Sequence, residues 1–513
     1  MTGHGLRPAT AVLTVAAVRR AEAAAMAELP EGALMQRAAT ALAVVAGSML
    51  REICGRVTGS RVVLLVGAGD NGGDALYAGA RLAARGARVD ALLVADRHHV
   101  GGADALRRNG GRVQVVALGD LVAAELVARA DLVVDGILGI GGRGALREPA
   151  AWLAAVARET DVAVLAVDLP SGVDADTGAV ADADAVVHAD RTVAFGCLKA
   201  GLLLGDGALR TGELAVVDIG LSFDDVATSE LVVRIDDDSA APLLAGPGAR
   251  DDKYTRGVVG VSAGSEAYPG AAVLATAGAR HGLAGYVRYA GHAHEQVVAH
   301  WPDVVARPGR VADAGRTQCW VVGSGRGLDE DARGAVLDAA ALDVPLLLDA
   351  DALTLMADDA DVRAAVVARS GVTVLTPHAG EFARLAGVPV GEDRVAAVRS
   401  LAADLGAVVL LKGSATVVAA PDGHAYVAAS APPELATAGS GDVLAGLLGS
   451  LLAHHEAHAP LDPARAALLA AVAAHVHGAA GAVAADDGRT VTALDVAAAL
   501  PAAVARVRRS SPE

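Results

Sequence analysis

Lysine and asparagine are almost missing from this chain of 513 residues, which holds three lysines (Lys199, Lys253, Lys412) and two asparagines (Asn71, Asn109). Arginine carries nearly all the positive charge. A position that keeps lysine in such a background points to chemistry that arginine's rigid fork cannot supply, because an ammonium is compact, rotatable and tunable in pKa. Aromatic residues make up only 2%, so the cores must be built from Val, Leu and Ala. Cysteine is limited to Cys54, Cys197 and Cys319. Three widely spaced thiols make neither a disulfide framework nor a zinc spacing, and they fit a reducing, cytoplasmic interior. Positive charge is in deficit. A net charge of −17 and a pI near 5.3 argue against nucleic acid or anionic membrane as partners. The first residues mix apolar and charged positions at helical spacing, so no signal peptide is expected. The alanine-rich run from Ala466 to Ala485 is interrupted by His475, His477 and glycines, and reads as a buried helix and not a membrane span.

The length exceeds one ordinary core, so at least two domains are expected. After a mostly helical stretch from Leu13 to Cys54, broken at "ELPEG", strand and helix signals alternate: "RVVLLVG", "ARVDALLVA", "RVQVVAL", "ADLVVDGILG", "VAVLAVDLPSG", "ADRTVAFG". Such alternation predicts β-α-β units around a mainly parallel sheet. The pattern dissolves between Phe223 and Asp252, the expected linker. A second series then follows, from "RGVVGVSAGS" to "GHAYVAAS", closed by long alanine-rich helices. The expected organisation is two tandem α/β domains, 1–222 and 252–513, joined by 223–251.

The first strand runs into Gly67, Gly69 and Gly72, a literal G-x-G-x-x-G, with Asp90 and Asp96 about twenty positions on. A dinucleotide loop offers bare backbone to a pyrophosphate, whereas this loop carries Asp70, Asn71 and Asp74, which would repel one. It therefore handles something besides phosphate. Open parallel sheets gather their active groups at the carboxyl ends of the strands. Asn71, Asp135 and Ser171 fall at such ends and present hard oxygen ligands suited to a monovalent or divalent cation, not to zinc. Asp168 and Lys199 would form an acid/base pair.

These motifs resemble the N-terminal domain of NAD(P)HX epimerases over roughly Val12 to Gly220. The family loop usually reads N-N-G-G-D-G and here reads Asp70-Asn71-Gly72-Gly73-Asp74-Ala75, so that Asp70 adds a charge. The resemblance implies a Rossmann-like domain with a potassium ion on Asn71, Asp135 and Ser171. It also implies contacts of the hydrated nicotinamide nucleotide with Asp70, Asn71, Gly72, Gly73, Asp74, Asp168 and the loop Gly139, Ile140, Gly141, Gly142, Arg143, Gly144 and Ala145.

In the second half, "DADALT" places Asp349 and Asp351 at a strand end, "TPHAGE" places His378 and Glu381 at another, and "LLKGSATVV" places Lys412 at a third. The sharpest signal is "ATAGSGD". Amides at the start of a helix, around Gly439 and Gly441, form an anion hole for a phosphoryl group, with Asp442 placed to exchange a proton with a substrate hydroxyl. Nucleotide phosphates would then rest on "KGSAT", Lys412 to Thr416. This half resembles the ribokinase-like superfamily and, within it, the ADP-dependent or ATP-dependent NAD(P)HX dehydratases, with "KYTRG", "GSEAYPGAA", "GSGRG", "TPHAGE" and "ATAGSGD" in order. Thr354 stands where that family more often has Asn. The resemblance implies substrate contacts at Ala271, Gly325, His378 and Asp442. It places adenine-nucleotide contacts at Lys412, Gly413, Ser414, Ala415, Thr416 and Gly441.

Joined in this order, the halves look like a bifunctional repair system for NADHX and NADPHX: K⁺ in the first domain, ADP as co-substrate with Mg²⁺ in the second, and a homo-oligomeric assembly. A small-molecule kinase, a non-catalytic nucleotide sensor and an NAD-dependent dehydrogenase are the rival readings. The histidine groups at His292 and His294, and at His454, His455 and His458, lack metal-ligand spacing and are expected as exposed loop residues.

Overall fold

A computed structural model describes residues 7, 9–429 and 431–510. The chain forms two compact units, Met1–Val232 and Val233–Glu513.

The first unit is built on seven parallel strands. Their order across the sheet is Arg112–Val115, Arg88–Leu93, Arg61–Val66, Leu132–Gly136, Val164–Val167, Arg191–Phe195 and Glu213–Val217. The chain steps outward from Arg61–Val66 for two strands, then returns to that strand's other side, where Val62 pairs with both Val89 and Leu132. This reversal leaves a crevice at the carboxyl ends, the usual ligand position in open α/β sheets. The fully buried central strands explain their unbroken Val/Leu runs, since both faces are covered by helices. The break at "ELPEG" separates helices Val15–Glu28 and Ala33–Cys54. The sheet's last strand, Glu213–Val217, was not expected; only half-buried, it lacks the continuous apolar signature.

The second unit runs Val305–Arg307, Tyr286–Ala290, Val258–Ser262, Cys319–Val322, Leu346–Leu348, Thr373–Leu375 and Val408–Leu411 in parallel, then Thr416–Ala419 and Ala425–Ala428 in antiparallel pairing. Next to these, Val233 and Arg234 pair with Tyr426 and Val427. The stretch expected as a linker is thus partly structured. It contributes the Leu231–Arg234 strand and the short helix Asp237–Ala240, because Val232, Ile235, Leu243 and Leu244 have apolar side chains to bury.

Helix Pro463–Ala484 spans the alanine-rich run. It is long and apolar enough to cross a membrane, yet 89% of its most apolar window is buried within the unit. His477 on this helix meets Ser440 at 3.2 Å, and His475 meets Asp237 at 2.6 Å. Helix Ser440–His458 crosses helix Pro269–Arg280 so closely that a Cβ on Gly446 would lie 1.9 Å from the Ala275 carbonyl oxygen. His454, His455 and His458 lie on the last turns of helix Ser440–His458, not in a loop. Each ring bonds a backbone carbonyl, of Arg256, Leu243 and His454 respectively, so these nitrogens serve packing.

Candidate active sites

In the first unit the glycine loop folds directly into helix Asp70–Ala84, with Gly69 as its cap. Close approach leaves no room for a side chain at several glycines here. A Cβ on Gly67 would sit 1.9 Å from the Ile137 carbonyl oxygen, and one on Gly139 would sit 2.4 Å from Asn71 Oδ1. These close approaches lock the first loop against the one following Leu132–Gly136. Asn71 Nδ2 donates to the carbonyls of Leu138 (3.1 Å) and Val167 (2.6 Å). Asp135 is fully buried, and its oxygens accept from the Ser171 amide (2.8 Å), the Ser171 hydroxyl (2.7 Å) and the Ile137 amide (3.2 Å). Burial pushes its carboxyl up to about 6, against those hydrogen bonds. Asn71, Asp135 and Ser171, from three separate motifs, therefore meet around the Leu138 backbone.

Beside them lies a cavity of about 610 Å³ whose wall includes Asp70, Asn71, Asp74, Ile140 and Asp168. Asp168 has φ +65°, a left-handed conformation rare outside glycine. Its carboxylate accepts from the Phe195 amide at 3.0 Å and from Lys199 Nζ, which also reaches the carbonyls of Phe195 and Cys197. Burial alone would lower the Lys199 pKa. The Asp168 carboxylate, with smaller help from Cys197 and Glu22, more than offsets this and shifts it upward. Asp74 differs: its Oδ1 is buried without a hydrogen-bond partner among the described residues. Burial first, then Asp168, Asp70 and Glu22, raise its pKa well above the carboxylate range.

The other expected contacts divide. Gly72 and Gly73 are buried in the first helical turn, where Gly73 abuts Met35, and the loop beyond Ile140 runs to the surface, with Gly141, Arg143 and Gly144 exposed. Sequence reasoning missed Glu22, Met26, Met35, His99, Phe195 and Ile219, all in the cavity wall. Only the "ELPEG" break, whose Leu29–Gly32 segment lines the same cavity, gave a signal.

In the second unit four strand ends supply the polar groups. Asp349, buried behind Leu346–Leu348, accepts from Thr376 Oγ1 (2.8 Å), Ser324 Oγ (3.2 Å) and Lys412 Nζ (2.7 Å). Lys412 Nζ also lies 3.9 Å from Glu381. Ala350, between Asp349 and Asp351, holds a strained φ of +52°, and Asp351 accepts from the Gly327 amide at 2.8 Å. His378 caps helix Ala379–Ala386. Its Nδ1 accepts from the Gly380 and Glu381 amides, while Glu381 accepts from the His378 amide, a reciprocal box in which His378 Nε2 lies 3.5 Å from Glu381 Oε1.

Helix Ser440–His458 begins at Gly439, with φ +86°. In its first turn the Ser440 amide bonds the Thr437 carbonyl at 3.3 Å, while the Gly441 and Asp442 amides have no carbonyl partner among the described residues and remain open to an anion. Gly441 faces Lys412: a Cβ there would lie 3.5 Å from Nζ. Asp442, in the same turn, is pushed up to about 7. Burial is the main cause and Asp349 adds repulsion, while a hydrogen bond to Ser324 and the charge of Lys412 pull the other way. Ala271 and Gly325 touch, since a Cβ on Gly325 would lie 2.6 Å from that of Ala271. In the KGSAT loop Gly413 and Ser414 are exposed, while Ala415 and Thr416 are buried.

A parallel sheet with acid/base groups gathered at its carboxyl edge, twice over in one chain, defines a two-site α/β enzyme. Residues 31–201 match the family described as YjeF-related protein N-terminus, and residues 259–502 match the one described as NAD(P)H-hydrate dehydratase. The chain belongs to the family of bifunctional NAD(P)H-hydrate repair enzymes: it is 48% identical over 441 residues to the enzyme Nnr of that name from Mycobacterium tuberculosis (strain CDC 1551 / Oshkosh), covering 86% of this chain and 88% of that protein. The Salinibacter ruber (strain DSM 13855 / M31) enzyme is 34% identical over 534 residues, covering 96% and 95%. Among solved structures, the ADP/ATP-dependent NAD(P)H-hydrate dehydratase of Bacillus subtilis, co-crystallised with ATP/Mg²⁺, aligns with a TM-score of 0.44 and 28% identity, over 53% of this chain and 97% of that one. The expectation of a bifunctional repair enzyme, an epimerase half followed by a dehydratase half, is met.

Proposed function

We propose that Asp168 and Lys199 carry the epimerase chemistry on R- and S-NAD(P)HX, and that Asp442 carries the dehydration of S-NAD(P)HX with ADP, releasing AMP and phosphate. One observation supports the second assignment above all: a carboxyl with an affinity for protons near neutrality sits in the first turn of a helix where the Gly441 and Asp442 amides are left open among the described residues. The hydrated ring bears a hydroxyl, and hydroxide leaves poorly whereas phosphate leaves well. Asp442 takes the hydroxyl proton as the terminal phosphoryl group of ADP passes to that oxygen. The ring C–O bond then breaks with phosphate departing, the neighbouring carbon gives up a proton, and the reduced nucleotide is restored. Open amides around Gly441 stabilise the transferring charge. Ala271, Gly325 and His378 line the substrate side, and Lys412 to Thr416 with Gly441 the nucleotide side. A magnesium ion bound with ADP would neutralise phosphate charge.

In the epimerase half, Asp135, Ser171 and Asn71 fit a potassium ion by donor type. Asp135 is a wholly buried carboxylate whose hydrogen bonds come only from neutral groups, and a hard monovalent cation would balance it. Asp168 is fixed by the Phe195 amide and Lys199, and so accepts or returns a proton at one defined position.

Incubating the full-length protein with both hydrate epimers and ADP, and following the absorbance of the reduced cofactor, tests the division. Asp442→Ala is expected to abolish dehydration while epimerisation, read by chromatography, persists. Loss of both together would refute it.

A further inference from the structure

Nucleotide phosphates laid on the KGSAT loop need positive charge, and the loop's own lysine is already committed. Lys412 Nζ is held by Asp349 at 2.7 Å with Glu381 at 3.9 Å, in a site that also contains Asp351 and Asp442. A second cation reaches the loop from another element. Arg394 is the first residue of helix Arg394–Leu405, and its guanidinium lies across Gly413: a Cβ there would fall 2.8 Å from Nη2 and 3.7 Å from Cζ.

Other partly buried guanidiniums of this unit are occupied. Arg363 donates to the Leu385 carbonyl, Arg399 to that of Gly423, and Arg369 to those of Ala339, Ala340, Leu342 and Val344. Arg394 has no such partner among the described residues. Burial alone pushes it below the usual arginine value, with no carboxylate or carbonyl opposing. The neighbouring carboxylate, Asp393, is spent capping the helix on the Ala396 amide. A half-desolvated guanidinium without an acceptor is unfavourable, and its planar fork matches phosphate oxygens. Gly413, lacking a side chain, leaves that fork uncovered on the exposed part of the loop.

We infer that Arg394 binds the distal phosphate of the nucleoside diphosphate, so that ADP is held in preference to AMP and the product leaves once that phosphate is transferred. The inference rests on the reading of the KGSAT loop as the nucleotide site.

Binding of ADP and of AMP to the full-length protein by titration calorimetry tests it. In Arg394→Ala the Kd for ADP is expected to rise about tenfold or more, as for loss of a charged hydrogen bond, while that for AMP changes by less than about twofold. Gly413→Ala, which keeps the arginine and crowds its Nη2 at 2.8 Å, with the Ala415 carbonyl oxygen next at 3.3 Å, is expected to weaken ADP selectively as well, and serves if Arg394→Ala does not fold. Unchanged ADP binding in either folded variant overturns the inference, as does an equal loss for ADP and AMP. If the unsubstituted protein binds neither nucleotide, the reading of the loop falls too, and that result is distinct from the variant outcomes.

Discussion

At the scale of the residue, this chain distinguishes its carboxylates by surroundings more than by position. Asp168 faces a wholly buried lysine, the buried oxygen of Asp74 has no donor among the described residues, and Asp442 feels both Asp349 and Lys412. Environments that drive carboxyl pKa values apart mark acid and base roles. Asp442 carries a measurable consequence. A base acts as the carboxylate, so dehydratase kcat/KM is expected to rise with pH through about 7 and level off above it. Stability runs the other way. The folded value lies above the unfolded one of about 3.9, so the folded state holds the proton more tightly, and stability is lost as pH climbs from about 4 through 7. Asp442→Asn is therefore expected to be inactive yet more heat-stable than the parent at pH 8, with that advantage shrinking toward pH 4. Thermal melts across this range, beside the rate profile, check both signs.

Among the elements, the crossing of helices Pro269–Arg280 and Ser440–His458 decides where Asp442 sits. Gly446 lies against the Ala275 carbonyl, and a Cβ on Gly278 would lie 2.1 Å from the Val443 carbonyl oxygen. Alanine for glycine inside a helix gains about 1 kcal/mol of propensity. Here the new methyl meets backbone, which cannot step aside as a side chain can, and overpacking costs about 1–3 kcal/mol. The clash wins. Gly446→Ala is expected to lower the urea midpoint of the second unit and to reduce dehydratase kcat, because the helix start moves with its body. A midpoint equal to the parent's would show that the helices separate without cost.

For the molecule as a whole, the two sites answer to a substrate that exists in two hands. Water adds to either face of the ring, and a dehydratase shaped for one epimer strands the other unless both are exchanged. Asp168→Asn removes the charge that faces Lys199 and is expected to leave an epimer mixture only partly consumed, with the unused hand recovered by chromatography. Complete consumption at the parent rate would show that the first unit is dispensable for flux.

Alternation of apolar runs with helical periods was enough to read two parallel-sheet units, because strands buried on both faces cannot hide their Val/Leu signature. Glycine and acidic motifs at strand ends likewise marked Asp168, Lys199 and Asp442 from composition and spacing. Edge and half-buried strands such as Glu213–Val217 escaped, for want of a continuous apolar run. So did Glu22 and His99, which carry no motif and reach the first cavity only because distant helices fold over it. The commitment of Lys412 to Asp349, and the placing of Arg394 beside Gly413 with no partner among the described residues, were decided by the tertiary structure alone. Charge pairing depends on distances across elements far apart in the chain, and local sequence does not encode them.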